Sequence, residues 1–145
     1  MKLIPYINLP GNAEEAMNFY RGVFGGKTEI MRWSEMPPNP EMPVSDAWQN
    51  KVMHGSLSIR EDVTIYLSDS WEEGKVNFGN NVFLHVEFDT EDELRKAFDA
   101  LSAGGKVNMP LDKTFWGAVY GDLVDKFGIS WGLHYQLPAS ETELA

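Results

Sequence analysis

The chain has 145 residues, 43% of them hydrophobic and 23% charged, which suits one domain able to bury a core without disulfides or structural metals. It has no cysteine, so disulfide frameworks, thiolate–zinc clusters and cysteine nucleophiles are excluded. Only 12 Lys and Arg are scattered among 22 Asp and Glu; the net charge of −10 argues against nucleic acid, because phosphate binding needs clustered cations.

Met1 leads directly into an apolar segment without a basic leader, and no apolar run reaches the ~18 residues of a membrane span. A cytoplasmic protein with no membrane partner is the expectation. The segment 3–9 predicts a strand that stops at Pro10-Gly11-Asn12. Asn12 is placed to N-cap a helix with Glu14 and Glu15 in its first turn. Ala13, Ala16, Met17, Tyr20, Val23 and Phe24 follow at helical spacing, and Gly25-Gly26 ends the run. Strands are predicted over 28–33, 52–60 and 63–68, the last two joined by a turn at Glu61-Asp62. Between the first two lies 34–51, with four prolines, Met36, Met42 and Trp48; this composition favours a packed lid over free disorder.

The second half repeats the statement. Gly25-Gly26-Lys27 returns as Gly104-Gly105-Lys106, an offset of 79 at which Ile7 falls on Val86, Asn8 on Glu87, Leu9 on Phe88 and Phe19 on Phe98. A strand over 82–88 precedes a capping box at Thr90 and Glu93, then a stripe of Leu94, Ala97, Phe98 and Leu101. Strands follow over 106–109, 116–123 and 129–137, with a turn at 125–128. Each half thus reads β-α-β-β-β. The predicted organisation is one domain over 1–145, with module 1 at about 1–70, module 2 at about 80–137 and an acidic tail at 138–145 expected to fray.

Paired modules of this kind resemble the vicinal oxygen chelate superfamily, which includes glyoxalase I, bleomycin and fosfomycin resistance proteins and extradiol dioxygenases. Pro5-Tyr6-Ile7 through Asn18-Phe19-Tyr20 resembles the opening of its PhnB-like branch. Thr114-Phe115-Trp116-Gly117 through Asp122, then Asp125-Lys126-Phe127-Gly128 and Trp131, resembles that branch's closing motif. The Met-Pro-Pro loop, Ser68-Asp69 and the strand bearing His54 also fit, so the resemblance covers essentially the whole chain. It implies an α+β fold of two paired βαβββ modules forming a cup-shaped mixed sheet (glyoxalase/bleomycin resistance-like). The superfamily holds a metal with four side chains, and alignment carries those positions to Ile4, about Tyr66, Phe83 and Gly132. Isoleucine, phenylalanine and glycine offer no imidazole or carboxylate. The expectation is no metal at the ordinary site and no cofactor.

Strand alternation identifies what would line the cup. If Val82, Leu84, Val86 and Phe88 face the helix, Phe83, His85 and Glu87 face away from it. In the last strand Ser130, Gly132, His134 and Gln136 face away; in the first half Tyr6, Asn8, His54, Tyr66 and Ser68 do. The candidate ligand-binding residues are therefore Tyr6, His54, Tyr66, Ser68, His85, Glu87 and His134, joined by Trp116, which is expected at a strand start near the cup's mouth. Against this, any one histidine can simply satisfy local hydrogen bonds, and Trp116 with Phe115 suits core or dimer packing as well as a cavity mouth. Glu87 is either a solvated edge charge or a general base beside His85. Asp122 and Asp125 read as turn formers, and Ser68-Asp69 as a strand end with an Asx turn.

The leading reading is a protein that binds a small molecule in a metal-free cavity, with no reaction assigned. The alternative is a metal-dependent enzyme of lyase, isomerase or dioxygenase type, with a displaced site at His85 and His134 plus Glu87 or Tyr6. A methyltransferase, the activity often attached to this branch, is disfavoured: no glycine-rich strand-to-helix loop could cradle S-adenosylmethionine. Phosphonate is disfavoured as a ligand, because Arg60 is the one cation on the relevant strand faces. A purely structural role requires a cup filled by its own aromatics. The resemblance also implies a homodimer, and exposed sheet edges make one physically reasonable.

Overall fold

The computed structural model describes Met1–Ala139; the tail expected to fray lies, from residue 140 on, outside the described residues. Two compact units divide the chain, Met1–Asn77 and Phe78 onward, each with one four-stranded sheet and one α-helix. In the first, β1 (Tyr6–Leu9) leads into α1 (Ala13–Phe24), then β2 (Lys27–Arg32), β3 (Val52–Arg60) and β4 (Val63–Asp69). The second runs β5 (Leu84–Phe88), α2 (Glu91–Ser102), β6 (Lys106–Lys113), β7 (Ala118–Val124) and β8 (Ser130–Gln136). The sheet orders correspond, β1-β4-β3-β2 and β5-β8-β7-β6. In each, the first strand runs parallel to the last and all other neighbours are antiparallel.

The repeated Gly-Gly-Lys has one cause in both units. Gly25 and Gly104 take positive φ, 78° and 74°, as the chain leaves each helix. A Cβ on Gly26 would run into the Ser58 carbonyl oxygen, and one on Gly105 into that of Val124. Ser58 and Val124 are the register partners of Lys27 and Lys106, so the second glycine lets the helix exit press against the neighbouring strand. No other residue meets both demands.

Each helix buries the face its spacing defines. Ala13, Ala16, Met17 and Tyr20 of α1 are fully buried, as are Leu94 and Leu101 of α2, with Ala97 and Phe98 nearly so. They meet Leu57 and Leu67 in the first unit and Leu123, Trp131 and Leu133 in the second, all at most 1% exposed. Truncating any of these large side chains to Ala would cost about 2–5 kcal/mol.

The helix entrances differ from expectation. Asn12 makes no side-chain cap; the Ala13 N–H instead donates to Asp69 Oδ1 at 2.9 Å. The other oxygen of Asp69 accepts the Val52 N–H at 2.8 Å, so this buried carboxylate ties the end of β4 to both α1 and the start of β3. That replaces the expected Asx turn at Ser68-Asp69. In α2 the cap is local, with Thr90 Oγ1 accepting the Glu93 N–H at 3.2 Å. Asp125 forms the expected turn and more: it accepts the N–H groups of Phe127 and Ile129 at 2.8 and 3.1 Å and the Trp131 indole N–H at 2.8 Å.

Several bounds also shift. The strands expected from residues 3 and 82 begin at Tyr6 and Leu84, leaving Leu3 and Val82 exposed. β6 extends to Lys113 through Pro110, on the outer edge of its sheet where a missing N–H costs little. The loop expected over 34–51 begins within one short 3-10 turn, Trp33–Glu35, and holds another, Asp46–Trp48. It is pinned by buried Trp33, by Trp48 Nε1 donating to the Ser70 carbonyl at 2.9 Å and by Lys51 Nζ donating to that of Gly11 at 2.8 Å.

Candidate functional site

In the first sheet Ile7 and Leu9 are buried toward α1, so Tyr6 and Asn8 point to the opposite, open face. The parallel register sets Tyr6 beside Tyr66 and Asn8 beside Ser68. From β3, His54 joins them: its Nδ1 and the Tyr6 hydroxyl share a hydrogen bond of 2.7 Å. The Tyr66 ring stands edge-on to both, with centroids 5.7 Å from Tyr6 and 4.8 Å from His54. Beside this aromatic group Ser68 Oγ donates to Asn8 Oδ1 at 2.5 Å. Four of the predicted site residues, Tyr6, His54, Tyr66 and Ser68, thus share one face.

The second sheet places its candidates at the same register. His85 lies beside Gly132 and Glu87 beside His134. Glu87 Oε1 is 3.5 Å from His85 Nε2 and 3.7 Å from His134 Nδ1, and the two imidazole centroids are 5.5 Å apart. Exposure is graded across the group: side chains of Glu87, His85 and His134 are 70%, 42% and 12% exposed. The Nδ1 atom of His134 is buried without a hydrogen-bond partner. Trp116 is not part of this group; it sits in the turn between β6 and β7, half-exposed, edge-on to Phe115 at 5.0 Å.

Tyr120 and Asp122 belong to the second site although sequence reasoning did not select them. Tyr120 pairs with His134 and Asp122 with Gly132. The Tyr120 ring stacks on His85 with centroids 6.1 Å apart, and its hydroxyl donates weakly to Asp122 Oδ2 at 3.5 Å. Burial, and then the nearby Asp122 charge, push the Tyr120 phenol above its ordinary pKa. Asp122 lies inside β7 and is not a turn former. The buried Val119 and Leu123 around these two residues carry the alternation that would have assigned them to the open face.

The four chelating positions implied by the resemblance do not suit a metal. Tyr66 and Gly132 occupy equivalent register positions in the two sheets, as Ile4 and Phe83 do in the repeat. None of these four residues carries an imidazole or a carboxylate. The space beside Gly132 is already filled: a Cβ there would sit 2.7 Å from the Tyr120 hydroxyl and 2.9 Å from the Phe83 ring.

A hollow of about 560 Å³ lies elsewhere, at the start of α1, lined in part by Glu14, Arg32, Asn50 and Lys51. Its Glu14, Arg32 and Lys51 are already engaged. Arg32 donates to both Glu14 oxygens at 3.0 and 3.1 Å, which holds the Glu14 carboxyl below its usual pKa, and Lys51 is bound to Gly11. The open faces of the sheets, with half-exposed rings and unsatisfied imidazole, offer a ligand more.

Residues 1–134 match the family model described as 3-demethylubiquinone-9 3-methyltransferase. Among solved structures, protein PA1353 from Pseudomonas aeruginosa is 28% identical with a TM-score of 0.83, the match covering 95% of this chain and 99% of that one. A PhnB protein from Bacillus cereus is also 28% identical, with a TM-score of 0.71 over 93% of this chain and 99% of its own. A glyoxalase/bleomycin resistance protein/dioxygenase family enzyme from Burkholderia phytofirmans PsJN, 17% identical over 91% of this chain and 97% of that one, has a TM-score of 0.58 and so shares the fold alone.

Proposed function

Because the chain belongs to the 3-demethylubiquinone-9 3-methyltransferase family, the PhnB-like branch of the glyoxalase/bleomycin resistance/dioxygenase superfamily, we propose that it binds a small organic molecule on the open face of its first sheet, with no metal at the superfamily's chelating positions. The observation that carries this reading is the group of Tyr6, His54 and Tyr66. These rings stand clear of the core, present edges and hydroxyl tips, and lie beside the polar Asn8–Ser68 pair. Rigid aromatics that stack a planar group, next to a few fixed donors and acceptors that orient it, are what a small-ligand site requires. Tyr6 and His54 brace each other through their hydrogen bond, which lowers the cost of ordering them around a ligand.

The methyl-transfer chemistry in the family's description is not part of the proposal. Each sheet has one parallel pair and three antiparallel-linked strands, and the described residues form no doubly wound nucleotide crevice and no glycine-rich strand-to-helix turn for S-adenosylmethionine. We also propose a homodimer: Phe115 and Trp116, 92% and 52% exposed, form an apolar knob suited to a second copy.

Chemical-shift mapping with a panel of small planar carboxylates, phenols and amides tests the binding site. Shifts centred on Tyr6, His54, Tyr66 and Ser68, abolished in His54→Ala, support it; shifts confined to the hollow around Arg32 and Lys51 defeat it.

A further inference from the structure

We propose that His85, Glu87 and His134 form a binding site for a divalent transition-metal ion of the zinc class on the open face of the second sheet. This goes beyond the organic-ligand site of the first sheet and does not use the superfamily's own positions. His85 and His134 each stand two residues beyond Phe83 and Gly132, on the adjacent parallel strands β5 and β8.

Three observations carry the inference. The first is the spacing of the donors. One ligand atom from each residue lies within 4.8 Å of the others, and Glu87 Oε1 stands 3.5 and 3.7 Å from the two ring nitrogens. Those separations are too long for good hydrogen bonds. The two distances to Glu87 are close to the ~3.3 Å between neighbouring ligands that a tetrahedral ion with ~2.0–2.1 Å bonds requires, and the imidazole nitrogens, within 4.8 Å of each other, have to draw together around the ion.

The second is the state of His134. Its Nδ1 atom is buried, faces Glu87 and has no hydrogen-bond partner. A nitrogen shut off from water is normally satisfied, and an ion between it and Glu87 would satisfy it.

The third is the comparison built into the repeat. Asn8 and Ser68 hold the register positions of Glu87 and His134, and they close on each other through a direct hydrogen bond of 2.5 Å. The same backbone placement in the second sheet leaves a gap the width of an ion, rimmed by nitrogen and carboxylate oxygen. Tyr120, stacked on His85, supports the group from β7.

Two imidazoles and one carboxylate select zinc, iron(II), cobalt or nickel over calcium or magnesium. Three protein ligands leave a fourth position for water or an anionic ligand atom, reached from the exposed side of Glu87 and His85.

The test is a titration of full-length, tag-free chain, stripped with chelator and dialysed, with Zn²⁺ by calorimetry and with Co²⁺ by visible absorption. The expected result is one ion per chain at micromolar or lower dissociation constant, with the absorption of a four-coordinate Co²⁺ site. Since even outer partners of metal ligands are worth about 10–100-fold in affinity, His85→Ala and Glu87→Gln should each weaken binding at least about 100-fold. Both residues are exposed enough for the variants to fold, whereas His134→Ala removes a mostly buried ring. Asp92→Asn, on the exposed first turn of α2, should leave the titration unchanged. No binding up to about millimolar Zn²⁺, or binding that survives at full affinity in both variants, would overturn the proposal. The readout uses the metal alone, so it is independent of organic-ligand binding at the first sheet.

Discussion

The open face of the first sheet and that of the second are the same construction carrying different chemistry. Tyr6 and Asn8 sit where His85 and Glu87 sit; Tyr66 and Ser68 sit where Gly132 and His134 sit. In the first sheet the polar groups are matched to one another, Tyr6 with His54 and Ser68 with Asn8. In the second they stand 3.5–3.7 Å apart around a carboxylate, and a buried nitrogen is unmatched. The repeat determines where a side chain points, through the glycine pair, the helix and the parallel register. It leaves open what that side chain is. A duplicated fold can therefore keep an aromatic, self-satisfied face in one unit and a chelating one in the other.

The contrast can be broken most severely through the two buried carboxylates that hold the strand ends. Asp125 accepts the three hydrogen bonds described above and Asp69 two, and at about 1–3 kcal/mol for each donor left unmatched, Asp125→Ala should lose at least about 3–9 kcal/mol and Asp69→Ala about 2–6. Urea denaturation measures both; equal losses would mean that donor count does not set the difference between the units. Next in size is Gly132→Val, which drives a side chain into Phe83 and Tyr120 and should cost about 2–3 kcal/mol, whereas Tyr66→Val at the equivalent position should cost about 1–2, because that ring is partly solvated. Tyr6→Phe deletes the hydrogen bond to His54 and should cost about 1 kcal/mol, with loss of any ligand that shares that hydroxyl, again read by denaturation and by shift mapping.

The smallest effects are in pH dependence. Tyr120 is held protonated by burial and by Asp122, so its contribution to stability is complete below the ordinary phenol pKa and is lost as pH rises through its raised folded value. Glu14 is the opposite case: Arg32 lowers its pKa, so the pair's contribution is present above the ordinary carboxyl pKa and fades as pH falls through the lowered value. Both side chains are partly open to water, so each change is small. An ultraviolet titration in which Tyr120 ionises with the exposed tyrosines would remove the first, and an unchanged acid stability in Arg32→Gln would remove the second.

Much of this fold was legible because its signals are local and repeated. The Gly-Gly-Lys pair, the Thr90 cap and the two helical stripes each state their structure within a few residues, and the copies agree. What escaped was non-local. Asn12 satisfies the rule for a helix cap, yet the carboxylate that meets Ala13 comes from Asp69, 56 residues away. Asp122 resembles a turn residue by type, and only its place between the buried Val119–Leu123 positions of β7 assigns it to the open face. Leu3 and Val82 are apolar enough for strands, but they lie beyond the register of β4 and β8. All the predicted site residues but Trp116 came from parity, which finds a face and says nothing of the distances across it.

Whether His85 and His134 chelate an ion across that gap is what imidazole ¹⁵N resonances followed through a zinc titration report most directly. The two-face account predicts that His85 and His134 shift together and saturate at one equivalent while His54, already bound to Tyr6, stays in place. Equal shifts at all three rings, or none at His85 and His134, would contradict it.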